Sequence, residues 1–174
     1  MKRKITPCTL SVSLVLGAIA AISFSGTNAS ATTVASCTPA HMRASVGTSE
    51  GAAGTIYVAL VFTNTGGTCA IWGVPSVQPV LASRRPVGPP ARNQSMGAMG
   101  VRHVVGTGRS VSVAFGVTQT ANYPASACVA RAANGVVVSL GTFVRPTYLR
   151  LAISVCTKGA STTTRLIVAG TTGS

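Results

Sequence analysis

The chain has 174 residues, with 14 lysines and arginines against 1 acidic residue, a formal net charge of +13. Glu50 is that acid, and there is no aspartate. The composition therefore excludes a carboxylate pair for glycoside hydrolysis, an acid-oriented Ser-His-Asp arrangement and a multi-carboxylate magnesium or calcium site.

The chain opens on Lys2, Arg3 and Lys4, followed by an apolar run from Leu10 to Phe24 and a polar stretch ending in Ala29-Ser30-Ala31. This order of charge, short apolar core and small residues predicts a signal peptide over 1–31, cleaved after Ala31. Fifteen helical residues reach roughly 22 Å, short of the ~20 residues a bilayer span needs. Val34-Ala35-Ser36-Cys37 loosely fits a lipobox, but polar Ser25–Thr33 separates it from the apolar core, and lipidating Cys37 would leave an odd cysteine number. A secreted or envelope-associated chain is expected, with residues 32–174 as one domain. Without the three leader cations, 11 basic residues face Glu50, a net of +10.

Cys8 falls in the leader, so Cys37, Cys69, Cys128 and Cys156 remain, an even set that reads as two disulfides. Three pairings are open and spacing does not choose among them. Cys37–Cys69 with Cys128–Cys156 is preferred because each pair brackets a few neighbouring strands. No C-x-x-C is present, so neither a redox motif nor a zinc-knuckle spacing exists.

Period-two alternation runs through the rest. Ser110–Val117 sets Val111, Val113, Phe115 and Val117 against Ser110, Ser112, Ala114 and Gly116, and Tyr148–Val155 sets Leu149, Leu151, Ile153 and Val155 against Tyr148, Arg150, Ala152 and Ser154. Both read as half-buried antiparallel strands. Thr55–Thr63 is apolar on both faces and reads as a central strand. Weaker strands are expected at Ala40–Val46, Cys69–Trp72, Val77–Leu81, Val101–Val105, Val136–Leu140 and Thr163–Ala169. Turns are expected at Gly47–Gly51, Gly51–Gly54, Asn64–Gly67, Gly106–Gly108 and Asn134-Gly135. A single helical turn is expected in Ala125–Ala133. Residues 83–100, with Arg84, Arg85, Arg92 and three prolines, show no alternation and read as a long loop, either a mobile excursion or a basic binding loop.

Gly47-Thr48-Ser49-Glu50-Gly51 spells the nucleophile elbow G-x-S-x-G, but His103 is the only later histidine and no acid lies between them. Two histidines, His41 and His103, fall short of a three-ligand catalytic zinc site and are expected on strand faces. Asn93-Gln94-Ser95 spells a glycosylation acceptor. Nucleic acid is not the expected natural partner, because no strand carries paired aromatics for base stacking and export removes the chain from it.

Leu60-Val61-Phe62-Thr63-Asn64-Thr65-Gly66-Gly67-Thr68-Cys69, then Gly73-Val74-Pro75, with Asn122-Tyr123-Pro124 before Cys128 and Cys156 last, resembles the exported actinobacterial family called domain of unknown function 4232. The resemblance covers roughly Cys37 to Val168. It implies an exported β-sandwich with no established activity, and it supplies no catalytic residue. Asn64 and Gly66 suit a tight turn of positive φ, and Trp72 is expected to pack near a bridge.

The expectation is an all-β, immunoglobulin-like antiparallel sandwich of two sheets and seven to nine strands, with two disulfides and no cofactor or metal. The expected function is a non-enzymatic envelope or secreted module whose basic surface, with Arg84, Arg85 and Arg92 as the binding loop, contacts an anionic wall polymer or an envelope protein. The alternatives are a hydrolase with an atypical Ser-His site and a cationic membrane-active protein.

Overall fold

The computed structural model describes residues 33–95, 100–141 and 145–174. The expected leader and its cleavage site lie outside them, as do residues 96–99 of the long loop. Eleven strands follow in order: β1 Met42–Ala52, β2 Thr55–Asn64, β3 Cys69–Ile71, β4 Ser76–Val80, β5 Arg92–Asn93, β6 His103–Val105, β7 Ser110–Thr118, β8 Ala130–Ser139, β9 Thr147–Cys156, β10 Thr162–Thr164 and β11 Val168–Ala169. One sheet runs β1-β2-β7-β10-β5, with β11 also on β7, a second runs β4-β8-β9, and β3 and β6 form a separate ribbon. The named strands pair antiparallel except β5 and β10, which run parallel over Thr163↔Arg92 and Thr164↔Asn93.

The two larger sheets face one another and share one core. Val58, Leu60 and Phe62 of β2 and Val111, Val113 and Phe115 of β7 meet Val77, Val136, Val138 and Leu149 of the other sheet. Alternation puts these side chains on one face, and burying a residue such as Phe115 contributes on the order of 2–3 kcal/mol. The fold is a β-sandwich as expected, but with eleven strands instead of seven to nine, the β3–β6 ribbon outside the two sheets and one parallel pair, because several connections are short pairing segments. Strand β2 is central as read, paired with β1 and β7 along its length.

The departures have physical reasons. Gly47–Gly51 is not a turn; β1 runs through it with a bulge between Val46 and Ser49, and the β1–β2 hairpin turns at Ala53 and Gly54, both at positive φ. Asn134-Gly135 likewise lies inside β8, with a bulge between Ala133 and Gly135. Glycine permits a bulge as readily as a turn. The polar face of β7 is not in water: Ser112, Ala114 and Gly116 are buried. The C-terminal segment crosses that face, with Gly173 N–H donating to Ser112 Oγ at 2.9 Å. Thr163–Ala169 is two short strands, not one, with Ile167 buried between them. The Ala125–Ala133 segment holds only a turn closed on Pro124 O, since β8 begins at Ala130.

Residues 83–95 form no free loop. A bridge joins Val80 to Pro86, Val87 N–H donates to Pro79 O at 2.9 Å, and Ala91 N–H donates to Val77 O at 2.8 Å. The segment lines the edge strand β4, buries Val87 and ends in β5. Its backbone finds partners without side-chain alternation, which is why periodicity did not reveal it.

Candidate anion-binding face

All 11 basic side chains of the described residues (ten arginines and Lys158) are exposed. A carboxylate-poor chain leaves guanidinium groups free to seek anions outside the molecule, so their grouping decides where one could bind. The clearest group lies on the outer face of β8 and β9. Tyr148 and Arg150 point to that face from alternate positions of β9, about 7 Å apart along the strand. The bulge at Gly135 lets the Tyr148 ring lie against the β8 backbone; a Cβ there would sit 2.6 Å from Tyr148 Cε2 and closer still to Leu149 O. Arg84 then covers the ring, its Cζ 5.3 Å from the centroid.

Arg84 reaches this position through a turn after β4. Its N–H donates to Leu81 O at 2.8 Å, Leu81 N–H donates to Arg85 O at 2.9 Å, and Arg84 sits at φ 64°. Ala82 N–H donates to Asn134 Oδ1 at 3.1 Å, which ties that turn to the β8 bulge. The outcome is a layer of bulge, tyrosine and Arg84, with Arg150 two positions from Tyr148 on β9 and Arg85 next to Arg84 in the chain, both exposed. A guanidinium held in this way, with others close along the chain and no carboxylate paired to them, suits phosphate or carboxylate groups.

The expected basic loop is thus divided. Arg84 and Arg85 lie together, but Arg92 sits on β5 beside β10, about 13 Å further along β4, and does not join them. Tyr148 and Arg150 are legible in the sequence only as the outward face of β9, and Gly135 only as part of an expected turn.

The remaining expectations resolve individually. Cys37 pairs with Cys69 and Cys128 with Cys156, as preferred, so the Cys37 sulfur of the lipobox string is held in a bridge. Two disulfides are those of a domain that folds in an oxidising environment. Ser49 and His103 line different grooves, and His103 Nε2 is 3.0 Å from Ile167 O. His41 lies in a 3-10 turn before β1 instead of on a strand, and no three His, Cys, Asp or Glu side chains gather around a metal position among the described residues. Asn93 Oδ1 accepts from Ser95 N–H at 2.7 Å, a local turn bond. Trp72 is 38% exposed, and Arg102 lies over its ring. Among the described residues no helix is long and apolar enough to cross a membrane.

The profile of the family described as Domain of unknown function (DUF4232) matches residues 37–170. The chain belongs to that family. The match spans the sandwich from the first bridging cysteine to the last strand, so the two bridges and the Arg84–Tyr148 layer all lie within the DUF4232 domain. No curated protein and no solved structure matches the chain.

A second groove, about 580 Å³, opens between the edge strands β1 and β9 and is lined by Val46, Ile56, Leu151 and Ile153 with no charged group. It is an apolar cleft, chemically unlike the arginine face.

Proposed function

We propose that this DUF4232 domain is an exported, non-enzymatic binding module that contacts an anionic polymer of the cell envelope through Arg84, Arg85 and Arg150. Residues 1–31 act as a cleaved signal peptide in this reading, and the two disulfides suit the compartment beyond it. The observation that carries the reading is Arg84 held over Tyr148 on a face that also bears exposed Arg150, two positions on along β9, with exposed Arg85 next to Arg84 in the chain and no carboxylate near them. Glu50, the chain's lone acid, lies on β1 in the other sheet.

Each polymer anion met by an arginine releases condensed counterions, so binding weakens with salt in proportion to the contacts made. The test is co-sedimentation with purified cell walls. Replacing Arg84, Arg85 and Arg150 with glutamate is compared with replacing Arg43, Arg92 and Arg165, which changes net charge equally. The reading expects the first variant to lose about 10-fold more affinity than the second, about 1.4 kcal/mol. Equal losses would assign retention to total charge and reject the site.

A further inference from the structure

A second surface lies on the β3–β6 ribbon, apart from the arginine face. The ribbon pairs Cys69↔Val105, Ala70↔Val104 and Ile71↔His103. Alternation divides it into two faces, although Ala70, across from Val104, is itself covered. Ile71 and Val105 point into the core at 0% and 2% exposure, while Val104, on the opposite face, is 57% exposed. One step past the ladder, Trp72 stands across from Arg102, whose Cζ is 5.5 Å from its ring. Val74 and Val101 flank them at 45% and 67% exposure. These four residues are most of the large apolar side chains left exposed among the described residues, and they sit together. A clustered exposed apolar patch around a tryptophan and an arginine has the composition of an interaction hot spot.

The platform is also rigid. The Cys37–Cys69 bridge ties β3 to the segment before it, Cys37 N–H donates to Ala70 O at 2.8 Å, and Ala70 N–H donates to Ala35 O at 2.8 Å. Arg102 Nη2 donates to Val34 O at 3.0 Å, which fixes the guanidinium over Trp72 and leaves its other edge without an acid partner. Gly73, at φ 104°, lies so close to Gly100 that a Cβ on Gly100 would strike Gly73 O, which holds the two ends of the patch together. Little ordering entropy remains for a ligand to remove. From Arg102 and Val104 a groove of about 660 Å³ leads to Arg109.

We propose that the outer face of this ribbon docks a protein partner that sets an apolar side chain against Trp72 and Val104 and a carboxylate between Arg102 and Arg109. Charge complementarity selects an acidic partner, because the patch carries two guanidiniums and no acid. It also disfavours a second copy of this chain, whose like charge would oppose pairing. A neutral saccharide fits less well, because it would leave the charge of Arg102 and Arg109 unanswered.

The test pans a displayed library of random peptides on the disulfide-intact chain and measures the enriched peptides in solution. Enriched sequences are expected to pair an Asp or Glu with a neighbouring large apolar residue. Trp72→Ala should weaken them about 30-fold or more, and Arg102→Gln about 10-fold, with Arg84→Gln left at the parent affinity. Val104→Glu, a change at an exposed position, should also abolish binding by engaging Arg102 internally, and it checks the Trp72 result independently of folding. Failure to enrich an acidic-apolar consensus, or binding indifferent to both Trp72→Ala and Val104→Glu, overturns the proposal. So does an anionic polysaccharide that loses affinity with Trp72→Ala when the peptides do not. Because these residues are distinct from Arg84, Arg85 and Arg150, loss of one activity leaves the other standing.

Discussion

Asn64 offers the sharpest quantitative test of how the turn sequence holds the fold. It is fully buried. Its Nδ2 donates to Gly67 O at 2.9 Å and to Val105 O at 2.8 Å, and its Oδ1 accepts from Gly66 N–H at 2.9 Å. Its own backbone bonds Arg109 O at 2.9 Å and Gly108 N–H at 2.7 Å. The side chain thus fastens the end of β2 to β6 and to the turn that follows β2, while the backbone of Asn64 holds the turn before β7. Asn64→Ala removes three side-chain bonds worth about 1 kcal/mol each and leaves Val105 O without this donor in a buried place. The expected loss is about 3 kcal/mol, which for a domain of this size lowers Tm by about 10 °C. Asn64→Asp keeps the shape but turns a carboxylate toward two carbonyl oxygens, so it should cost at least as much near neutrality. Burial and those oxygens would raise the carboxyl pKa above its unfolded value. The protonated form can donate, so the sign is fixed: the aspartate variant is stabler at about pH 4 than at about pH 7, and loses stability as pH rises through the raised pKa. Thermal and urea unfolding followed by circular dichroism would measure both. A loss under about 1 kcal/mol for Asn64→Ala, or an aspartate variant no stabler at about pH 4 than at about pH 7, would refute the reasoning.

Gly135→Ala should destabilise by about 2 kcal/mol or more, because its Cβ would meet Leu149 O and the Tyr148 ring; urea unfolding checks it. Cys128→Ser with Cys156→Ser opens a loop of 28 residues' separation and should cost about 3–4 kcal/mol by chain entropy, read as a lower urea midpoint. Phe115→Ala, at 0% exposure in the shared core, should cost about 3–5 kcal/mol and abolish cooperative melting if the domain is marginal. Tyr148→Ala should leave Tm within a few degrees yet lower cell-wall affinity, since Arg84 loses the ring that positions it.

Alternation made β2, β7 and β9 legible because each has a face in the shared core, and cysteine bracketing led to the observed bridges. The Thr63-Asn64 turn was also legible, but only locally: that Asn64 reaches Val105 is a tertiary fact, 41 residues away. Glycines misled at Gly47 and Gly135, since what distinguishes a bulge from a turn is the neighbour filling the missing Cβ, here Val61 and Tyr148. The cover of β4 by residues 83–93 left no periodic trace, because backbone bonds hold it. The arginine face needed topology: Arg84 and Arg150 are brought together by β4, β8 and β9, and Arg92 is carried off by β5.

The most direct test of the account is the salt dependence of binding to purified cell walls, with DNA as the control polyanion. For the parent chain, log affinity should fall linearly with log salt, and replacing Arg84, Arg85 and Arg150 with glutamine should reduce that slope by about three for walls. A slope unchanged by that replacement, or wall and DNA binding that fall together at every salt concentration, would contradict it.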